Sequence, residues 1–506
     1  MSVLRNIIIS LVVLLCSIYF YQVKFQAQKP VVVVVGCGLA GISAGIEAHR
    51  SGAHVIILEK TQRCAGNSFK ATSGINGAYT EVQKSQNIND TVELFIQDTI
   101  KSGKGLANKQ LVNVLVNKSR SAIEFLQELG VDLSVLSQCG GHSRPRTHRS
   151  RPTEKIRNIG MIIMYELLGK YEEKLEIIKE ANVLDIEPNE FDNSLMVHYS
   201  YKGSVKKVGI KADSVILASG GWCADKSRDS LLKKYRPDIF SLATTNGQFA
   251  TGDGVKIAKK LGINLVHMDK IQVHPTGFIS PKDPLHNTKM LCPEAVRASG
   301  GIMINSKGER FANELGTRDY LTKQIFDQKD KYKKIPKDHD GESDIPYVAT
   351  IIMTEESRQL FNPTFIDFYQ KIGLIQYFEN GEKLSEYLEI DQEKLKNTFQ
   401  QYEKDAEVGK DRFGKTIFPV KKITFDENLY MMTITPSIHY AMGGIEINEN
   451  AQVINEKGGI IPNIYAAGET TGGVHGDNRL AGNSLLECVV FGRISGKNSV
   501  NLLDEN

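Results

Sequence analysis

The first strong pattern of apolar positions in the chain is a run of five valines, Val31–Val35. Such a run of β-branched residues predicts a strand that is buried on both faces of a parallel sheet. A glycine turn, the helical spacing of Ala40–Ser51 and a second apolar strand, His54–Leu58, follow in order. A strand, a helix and a strand make one βαβ unit, so the pattern predicts an α/β fold.

Two later apolar runs also end at glycine. Ser214–Ala218 leads into Gly220-Gly221 and Asn463–Ala467 leads into Gly468, which predicts two further strands. Between them, residues 268–432 are rich in lysine and include amphipathic helical stretches such as Glu382–Glu403. This change in character predicts an inserted domain. The predicted division is an N-terminal segment (1–29), a first domain in two parts (30–267 and 433–506) and the insertion (268–432).

An apolar segment, residues 6–23, precedes the first strand and lies between Arg5 and Lys24. Its length is at the lower limit for spanning a bilayer, and no small-x-small cleavage site follows. We favour an uncleaved signal-anchor over a cleaved signal, which predicts the secretory pathway or endoplasmic reticulum and a membrane contact through this segment. A mitochondrial presequence is the alternative, although Arg5 is the only arginine among the first thirty residues. A buried core helix is a third interpretation, but it would have nothing to pack against.

Charge and composition narrow the class of protein. The chain has 506 residues, 41% of them hydrophobic, which is enough for two or more packed domains. Its 62 basic and 59 acidic side chains nearly balance, so a small-molecule substrate is a better starting hypothesis than nucleic acid. The basic run His142–Arg157 is assigned no role in binding nucleic acid, and a solvated face is one interpretation of it.

The cysteines carry little functional signal. There are seven, scattered and without CxxC or CxxCH spacing, which argues against zinc, attached haem and a framework of disulfides. Most are therefore predicted to be small buried apolar residues, and no metal site is predicted.

The turn after the first strand has the spacing of a dinucleotide-binding site. Gly36 permits a tight turn, Gly38 lets the backbone approach a pyrophosphate, and Gly41 lets the helix pack closely on the sheet. The phosphates would lie at the positive helix N-terminus. Glu59 ends the second strand, where its carboxylate is placed to accept both hydroxyls of a ribose. An exposed strand-end acid is the alternative for Glu59.

The segment Cys64–Gly77, with the sequence CAGNSFKATSGING, favours a flavin over a nicotinamide. Here the chain resembles the flavoprotein family of fumarate reductases and succinate dehydrogenases, and in particular its soluble single-chain eukaryotic members. The resemblance extends from about Val31 to Arg493. It implies a Rossmann-like FAD-binding domain with an inserted α+β capping, or clamp, domain. Because residues 61–80 contain no histidine, it also implies that FAD is bound non-covalently.

The resemblance assigns cofactor contacts along the whole chain. Further family motifs are ASGG at 218–221, TGDG at 251–254, AGE at 467–469 and GNSLL at 482–486. Asp253 and Glu469 are implied for the ribityl or pyrophosphate region, and Asn483–Leu485 for the ring. For the basic run His142–Arg157, the resemblance implies the alternative to a solvated face, a loop near the flavin site. The implied cofactor residues are Gly36, Gly38, Leu39, Ala40, Gly41, Glu59, Lys60, Asn67, Ser68, Ser73, Gly74, Asn76, Gly77, Asp253, Glu469, Asn483, Ser484 and Leu485.

The family's catalytic motifs are also present, as HPT, EAVR, TRD, HYAMGG and DNRLAGNS. They imply that a dicarboxylate is gripped by His274, His439 and Arg479. Arg318 would be the general acid, and Glu294 and Arg297 would relay protons to it. The implied reaction reduces fumarate to succinate, with a hydride from flavin N5 and a proton from Arg318.

Several alternatives stay open. Glu294 and Arg297 also fit a surface ion pair, Arg318 and Asp319 a local pair, and the histidines satisfied core residues. Pro293 and Leu291 depart from the Thr and Met of bacterial members, which leaves room for another unsaturated carboxylic acid. An enzyme like L-aspartate oxidase and a flavin-binding redox carrier without turnover are further alternatives. The chain has no visible module to supply electrons, so the donor is expected to be external, either a reduced flavin or a reductase.

Overall fold

The structure, a computed structural model, describes residues 29–151, 158–335 and 345–501. The predicted anchor, residues 6–23, lies outside these ranges, as do residues 152–157 of the basic run. Among the described residues, no helix has the length and apolar character needed to cross a membrane.

The predicted βαβ unit is confirmed and forms the centre of a six-stranded sheet. In chain order its strands are β1 (Val31–Val35), β2 (His54–Glu59), β6 (Glu176–Lys179), β10 (Ser214–Leu217), β18 (Gln452–Ile454) and β19 (Ile460–Ala466). Their order across the sheet is β18-β19-β10-β1-β2-β6, and all neighbours are parallel except β18 and β19. Four of the five valines of β1 are buried, as expected for a central strand covered on both faces.

Helices cover this sheet and support the loops at its carboxyl edge. They are α1 (Leu39–Arg50), α2 (Glu81–Ser85), α3 (Val92–Ser102), α4 (Lys109–Asn117), α5 (Ser119–Glu128), α6 (Ile159–Tyr171), α7 (Leu231–Tyr235) and α8 (Asp253–Lys260). The C-terminal helix, Asn483–Asn501, packs along α1. Three small antiparallel sheets accompany these helices. The first contains β3 (Ile75–Asn76), β4 (Val135–Ser137) and β5 (Thr147–Arg149), and the second contains β7 (Ala181–Pro188), β8 (Leu195–Tyr201) and β9 (Lys207–Ala212). The third pairs β11 (Leu265–Val266) with β17 (Gly444–Ile445).

The insertion has its own antiparallel sheet and apolar cores, which confirms the α+β character expected for it. The strands are β12 (Ile271–Phe278), β13 (Ile302–Ile304), β14 (Ala349–Thr354), β15 (Gln376–Phe378) and β16 (Leu429–Ala441). The helices are α9 (Glu294–Ala298), α10 (Arg318–Gln328), α11 (Glu355–Phe361), α12 (Pro363–Lys371), α13 (Gly381–Leu388) and α14 (Gln392–Val408); the C-terminal helix is α15. The predicted boundary at residue 433 falls inside β16, and the boundaries stay predictions.

The amphipathic stretch Glu382–Glu403 is two helices, because a cap interrupts it. The side chain of Asp391 accepts hydrogen bonds from the amides of Glu393 and Lys394 and starts α14. Gly409, with a left-handed φ of 77°, ends α14.

Candidate functional site

The glycine turn after β1 has the geometry predicted for it. Gly36 has a φ of 103°, and a Cβ there would lie 2.6 Å from the carbonyl oxygen of Ala218. A Cβ at Gly41 would collide with the Gly36 carbonyl, so both positions need glycine. Helix α1 begins at Leu39, which lines the same cavity as Gly36 and Gly38, so the positive N-terminus of the helix lies at this cavity.

Glu59 at the end of β2 is buried, which is not the exposed strand-end acid of the alternative interpretation. Its Oε2 accepts a hydrogen bond from the Cys37 amide at 2.9 Å. Its Oε1 accepts from the amide and the hydroxyl of Thr61, both at 2.8 Å. These donors hold the carboxylate beside the turn, where a ribose would lie next to the pyrophosphate.

Two cysteines depart from the sequence prediction. Cys37 and Cys64 form a disulfide, so the expectation that these residues are simply apolar was wrong for this pair. Their spacing of 27 residues carries no known signature, and the folded chain alone brings the turn after β1 next to the loop after β2. In the described ranges Cys139, Cys223, Cys292 and Cys488 are free thiols, and no cluster of metal-binding side chains occurs there.

We expect Cys64→Ser to lower the free energy of unfolding by about 3 kcal/mol, because the disulfide constrains a loop of 27 residues in the unfolded chain. The variant should also retain less FAD after gel filtration, since the loop carries Asn67 and Ser68. Thermal unfolding and flavin content are the measurements. Cys139→Ser, which removes a free thiol, is the control, and unchanged stability in Cys64→Ser would contradict the expectation.

A cavity of about 570 Å³ runs from the glycine turn to the predicted catalytic residues. Most of the predicted cofactor residues line it: Gly36, Gly38, Leu39, Ala40, Glu59, Lys60, Asn67, Ser68, Ser73, Gly74, Asp253, Glu469, Ser484 and Leu485. Arg318, His439 and Arg479 also line it, so one space joins the cofactor residues to the substrate residues.

Four predicted cofactor residues, Gly41, Asn76, Gly77 and Asn483, are absent from the cavity lining. Asn76 donates from Nδ2 to Asn483 Oδ1 at 2.6 Å and to the Ala481 carbonyl at 2.8 Å. This hydrogen-bonded pair lies outside the lining of the cavity and fixes the first residue of α15.

Glu294, Arg297 and Arg318 form one buried cluster. Arg318 Nε donates to Glu294 Oε2 at 3.2 Å, and Arg297 Nη2 lies 4.0 Å from the same oxygen. Arg297 and Arg318 are 1% and 6% exposed, which excludes a surface ion pair. Burial acts to raise the pKa of Glu294, but Arg318 and Arg297 outweigh it and bring the pKa below its usual value. The carboxylate is therefore charged.

Two groups in this cluster were missed by the sequence analysis. Gln272 Oε1 accepts from Arg318 Nη1 at 2.7 Å and from Arg479 Nη2 at 3.4 Å, so it joins the two arginines. The Gly140 amide donates to Glu294 Oε1 at 3.0 Å. Gln272 lies two residues before His274 on β12, and this proximity was the only feature of the sequence that could have indicated its role. The contact of the Gly140 amide could not have been predicted, because a backbone amide is not specified by the residue type.

The two predicted substrate histidines lie next to each other, with ring centroids 5.0 Å apart. Burial lowers the pKa of both His274 and His439 well below the usual value, and Arg318 lowers each further. Both rings are therefore neutral near pH 7. Thr245 Oγ1 lies 2.7 Å from His439 Nδ1 and fixes that ring. His274 does not line the cavity, and its Nε2 has no hydrogen-bond partner among the described residues.

Arg479 is a buried cation at the cavity wall. Burial lowers its pKa to about 10, and Arg318 acts in the same direction. In the described ranges its Nε has no acceptor. A neutral histidine, an arginine with an unused donor and Arg318 together offer the hydrogen bonds and positive charge that a carboxylate ligand requires.

The basic run behaves differently from a solvated face in its described part, residues 142–151. Arg146 is fully buried, and its guanidinium pairs with Asp90 at 2.8 Å and Asp98 at 2.5 Å. His142 and His148 are also buried. The interpretation as a solvated face was wrong for these three side chains, of which Arg146 has its acidic partners in a distant part of the chain, whereas Arg144 and Arg151 are exposed.

Comparisons with known proteins agree with this site. The family described as "FAD binding domain" matches residues 31–485. Fumarate reductase of Schizosaccharomyces pombe is 36% identical over 95% of this chain and 91% of its own length. Fumarate reductase 1 of Saccharomyces cerevisiae is 39% identical over 93% of this chain and 98% of its own. A flavocytochrome c3 fumarate reductase structure in the open conformation superimposes with a TM-score of 0.73 at 31% identity, covering 96% of this chain and 81% of that one.

The fold and the site define an FAD-dependent oxidoreductase that acts on CH–CH groups. The chain belongs to the flavoprotein family of fumarate reductases and succinate dehydrogenases. The Rossmann-like fold with an inserted domain and the choice of FAD, both expected from the sequence, are thereby confirmed.

Proposed function

We propose that this protein reduces fumarate to succinate. The observation that carries the proposal is the buried contact of Arg318 with Glu294, 3.2 Å apart, at the wall of a cavity that also contains the cofactor residues. Relatives named fumarate reductase that align over more than nine-tenths of this chain support it.

The residues fit the binding of FAD. Glu59, the start of α1 and residues Asn67, Ser68 and Gly74 all line the cavity, where they would hold the ribose, the pyrophosphate and the ring of FAD respectively. We propose non-covalent binding, because residues 61–80 contain no histidine. Acid precipitation should leave the pellet colourless, and a yellow pellet would contradict it.

Bound and reduced FAD would supply the hydride for one carbon of the substrate's double bond. Arg479, His439 and His274 would bind the carboxylates of the substrate. Arg479 and His439 line the cavity, and His274 lies next to His439 with an Nε2 that has no partner among the described residues. Arg318 delivers the proton to the second carbon, and Glu294 with Arg297 returns a proton to Arg318. The neighbouring cations offset the negative charge that develops on the carboxylate.

The test is anaerobic: the bound flavin is reduced with dithionite and fumarate is added. Rapid reoxidation of the flavin supports the proposal. Since Leu291 lines the cavity and Pro293 has no donor, acrylate and urocanate belong in the same series. If acrylate or urocanate reoxidised the flavin faster than fumarate, that acid would replace fumarate as the proposed substrate. Peroxide formed from L-aspartate would indicate an oxidase. A flavin that none of these acids reoxidised would indicate a redox carrier.

We propose that electrons come from an external donor, either a reduced flavin or a reductase. We also propose a location in the secretory pathway, through a signal-anchor at residues 6–23. A mitochondrial location is the alternative. The apolar run between Arg5 and Lys24 supports this location. Fractionation of cells that produce the full chain, followed by carbonate extraction, tests it.

The pH profile of kcat/KM should fall on the alkaline side, above about pH 10, because substrate binding requires Arg479 to be protonated and burial lowers its pKa to about 10. On the acid side, kcat/KM should not fall near pH 6.5 through protonation of a histidine, since the pKa values of His274 and His439 both lie well below the usual value. Steady-state rates between pH 5.5 and 10.5 measure both limbs. A tenfold loss between pH 7 and pH 6 would contradict the assignment of neutral histidines.

A further inference from the structure

A chain of buried contacts lies behind Arg479. The guanidinium carbon of Arg479 is 4.1 Å from the centroid of the Tyr440 ring. The Tyr440 hydroxyl donates to Glu487 Oε2 at 2.5 Å. The same carboxylate accepts from the Thr471 hydroxyl at 3.3 Å and lies 2.9 Å from His475 Nε2. Each of these residues is at most 5% exposed.

Glu487 is a fixed negative charge within this chain. Burial acts to raise its pKa, but the contacts with His475 and Tyr440 outweigh burial and hold the pKa below its usual value. A buried carboxylate is costly unless donors satisfy it, and here three side chains contact its oxygens. Its orientation is therefore set from three sides.

Arg479 is held by two hydrogen bonds and by the tyrosine ring. In the described part of the chain no carboxylate forms an ion pair with Arg479, although Glu469 and Glu487 act to raise its pKa. Its hydrogen bonds are to the Leu480 carbonyl at 3.2 Å and to Gln272 Oε1 at 3.4 Å. The face of the Tyr440 ring lies 4.1 Å from the guanidinium carbon and adds a cation–π contact to these two hydrogen bonds.

We propose that Glu487 is a positioning residue for substrate binding, acting on Arg479 through Tyr440. A phenol that donates a hydrogen bond to a carboxylate has a more electron-rich ring, and such a ring attracts a cation more strongly. Glu487 thereby holds the guanidinium against the cavity wall without neutralising it by direct contact. The inference rests on the proposed function, in which Arg479 binds a substrate carboxylate.

The geometry explains why an indirect contact suits this site. Glu487 stands on α15, Tyr440 on β16 beside His439, and Arg479 in the loop before α15. A carboxylate in direct contact with Arg479 would occupy the donors that the substrate needs. The ring transmits the attraction and leaves the Nε donor of Arg479, which has no acceptor among the described residues, free for the substrate.

The test uses two nearly isosteric changes in the full-length, FAD-loaded protein. Tyr440→Phe keeps the ring and removes the hydroxyl, and Glu487→Gln keeps the size and removes the charge. Each should raise KM for fumarate by about tenfold, with kcat changed less than about twofold. The double variant should be no worse than the more impaired single variant, because both changes interrupt the same chain of contacts.

Tyr465→Phe is the matched control. Its ring is also buried, but its hydroxyl donates to the Asn498 carbonyl at 3.1 Å and it does not line the cavity, so KM should not change. An unchanged KM in both test variants of an active enzyme would overturn the inference. So would lower kcat or flavin content at unchanged KM, which indicates a structural role.

The experiment also distinguishes failure of the proposed function from failure of a variant to fold. If the wild-type protein does not turn over fumarate, the proposed function fails and this inference fails with it. If Glu487→Gln does not fold, the dissociation constant of succinate for Tyr440→Phe, followed by flavin absorbance, decides. A tenfold weaker complex supports the inference and an equal one overturns it.

Discussion

Arg318→Ala should lower kcat for fumarate by about 10³-fold while KM and bound FAD change little. The reason is that Arg318 lies at the cavity wall in contact with Glu294 and, in the proposed mechanism, delivers the proton. General acid groups contribute roughly 10² to 10⁴ in rate. Anaerobic stopped-flow measurement of flavin reoxidation isolates this step from the supply of electrons.

The control for this change is Arg144→Ala. Arg144 is an exposed arginine that donates to the Asn89 carbonyl at 3.1 Å, and its loss should leave kcat unchanged. If Arg318→Ala reoxidises its flavin with fumarate at the wild-type rate, then Arg318 is not the acid. A loss of FAD from the variant would indicate that the residue supports the cofactor site instead.

Glu294→Gln should lower steady-state kcat by about 10²-fold but leave the first turnover close to the wild-type rate. In the proposed mechanism the first substrate molecule receives the proton that Arg318 already carries, whereas the next requires delivery through Glu294, which contacts Arg318. Single-turnover and steady-state rates on the same preparation separate the two steps. Arg318→Ala should impair both.

A matched change of the same kind is Glu446→Gln. Glu446 is a half-buried glutamate that accepts from Asn264 Nδ2 at 2.6 Å and does not line the cavity. Its substitution should leave both rates unchanged. If Glu294→Gln slowed the first turnover as much as the steady state, Glu294 would be acting on the substrate itself and the relay would be wrong.

The sequence predicted the parts of the site that are local in the chain. The five valines, the glycine turn and Glu59 occur within thirty residues and follow known geometric requirements, so their arrangement was predictable. Arg318, Glu294 and Arg297 were found because each belongs to a family motif.

What the sequence did not predict depends on contacts between distant segments. The Cys37–Cys64 disulfide, the Gln272 bridge and the burial of Arg146 against Asp90 and Asp98 each join parts of the chain with no shared pattern. A basic run resembles a solvated face until its acidic partners are known. Tertiary structure alone supplies that information.

Strand β16 has a mechanical consequence. Its thirteen residues pair with β14 and β12 of the insertion and include His439 and Tyr440, which line the cavity. One strand therefore contributes both to the insertion's sheet and to the candidate site. Strain introduced into the packing around Met432, which is buried in the insertion's core, should therefore be transmitted along the strand to the active site seven residues away.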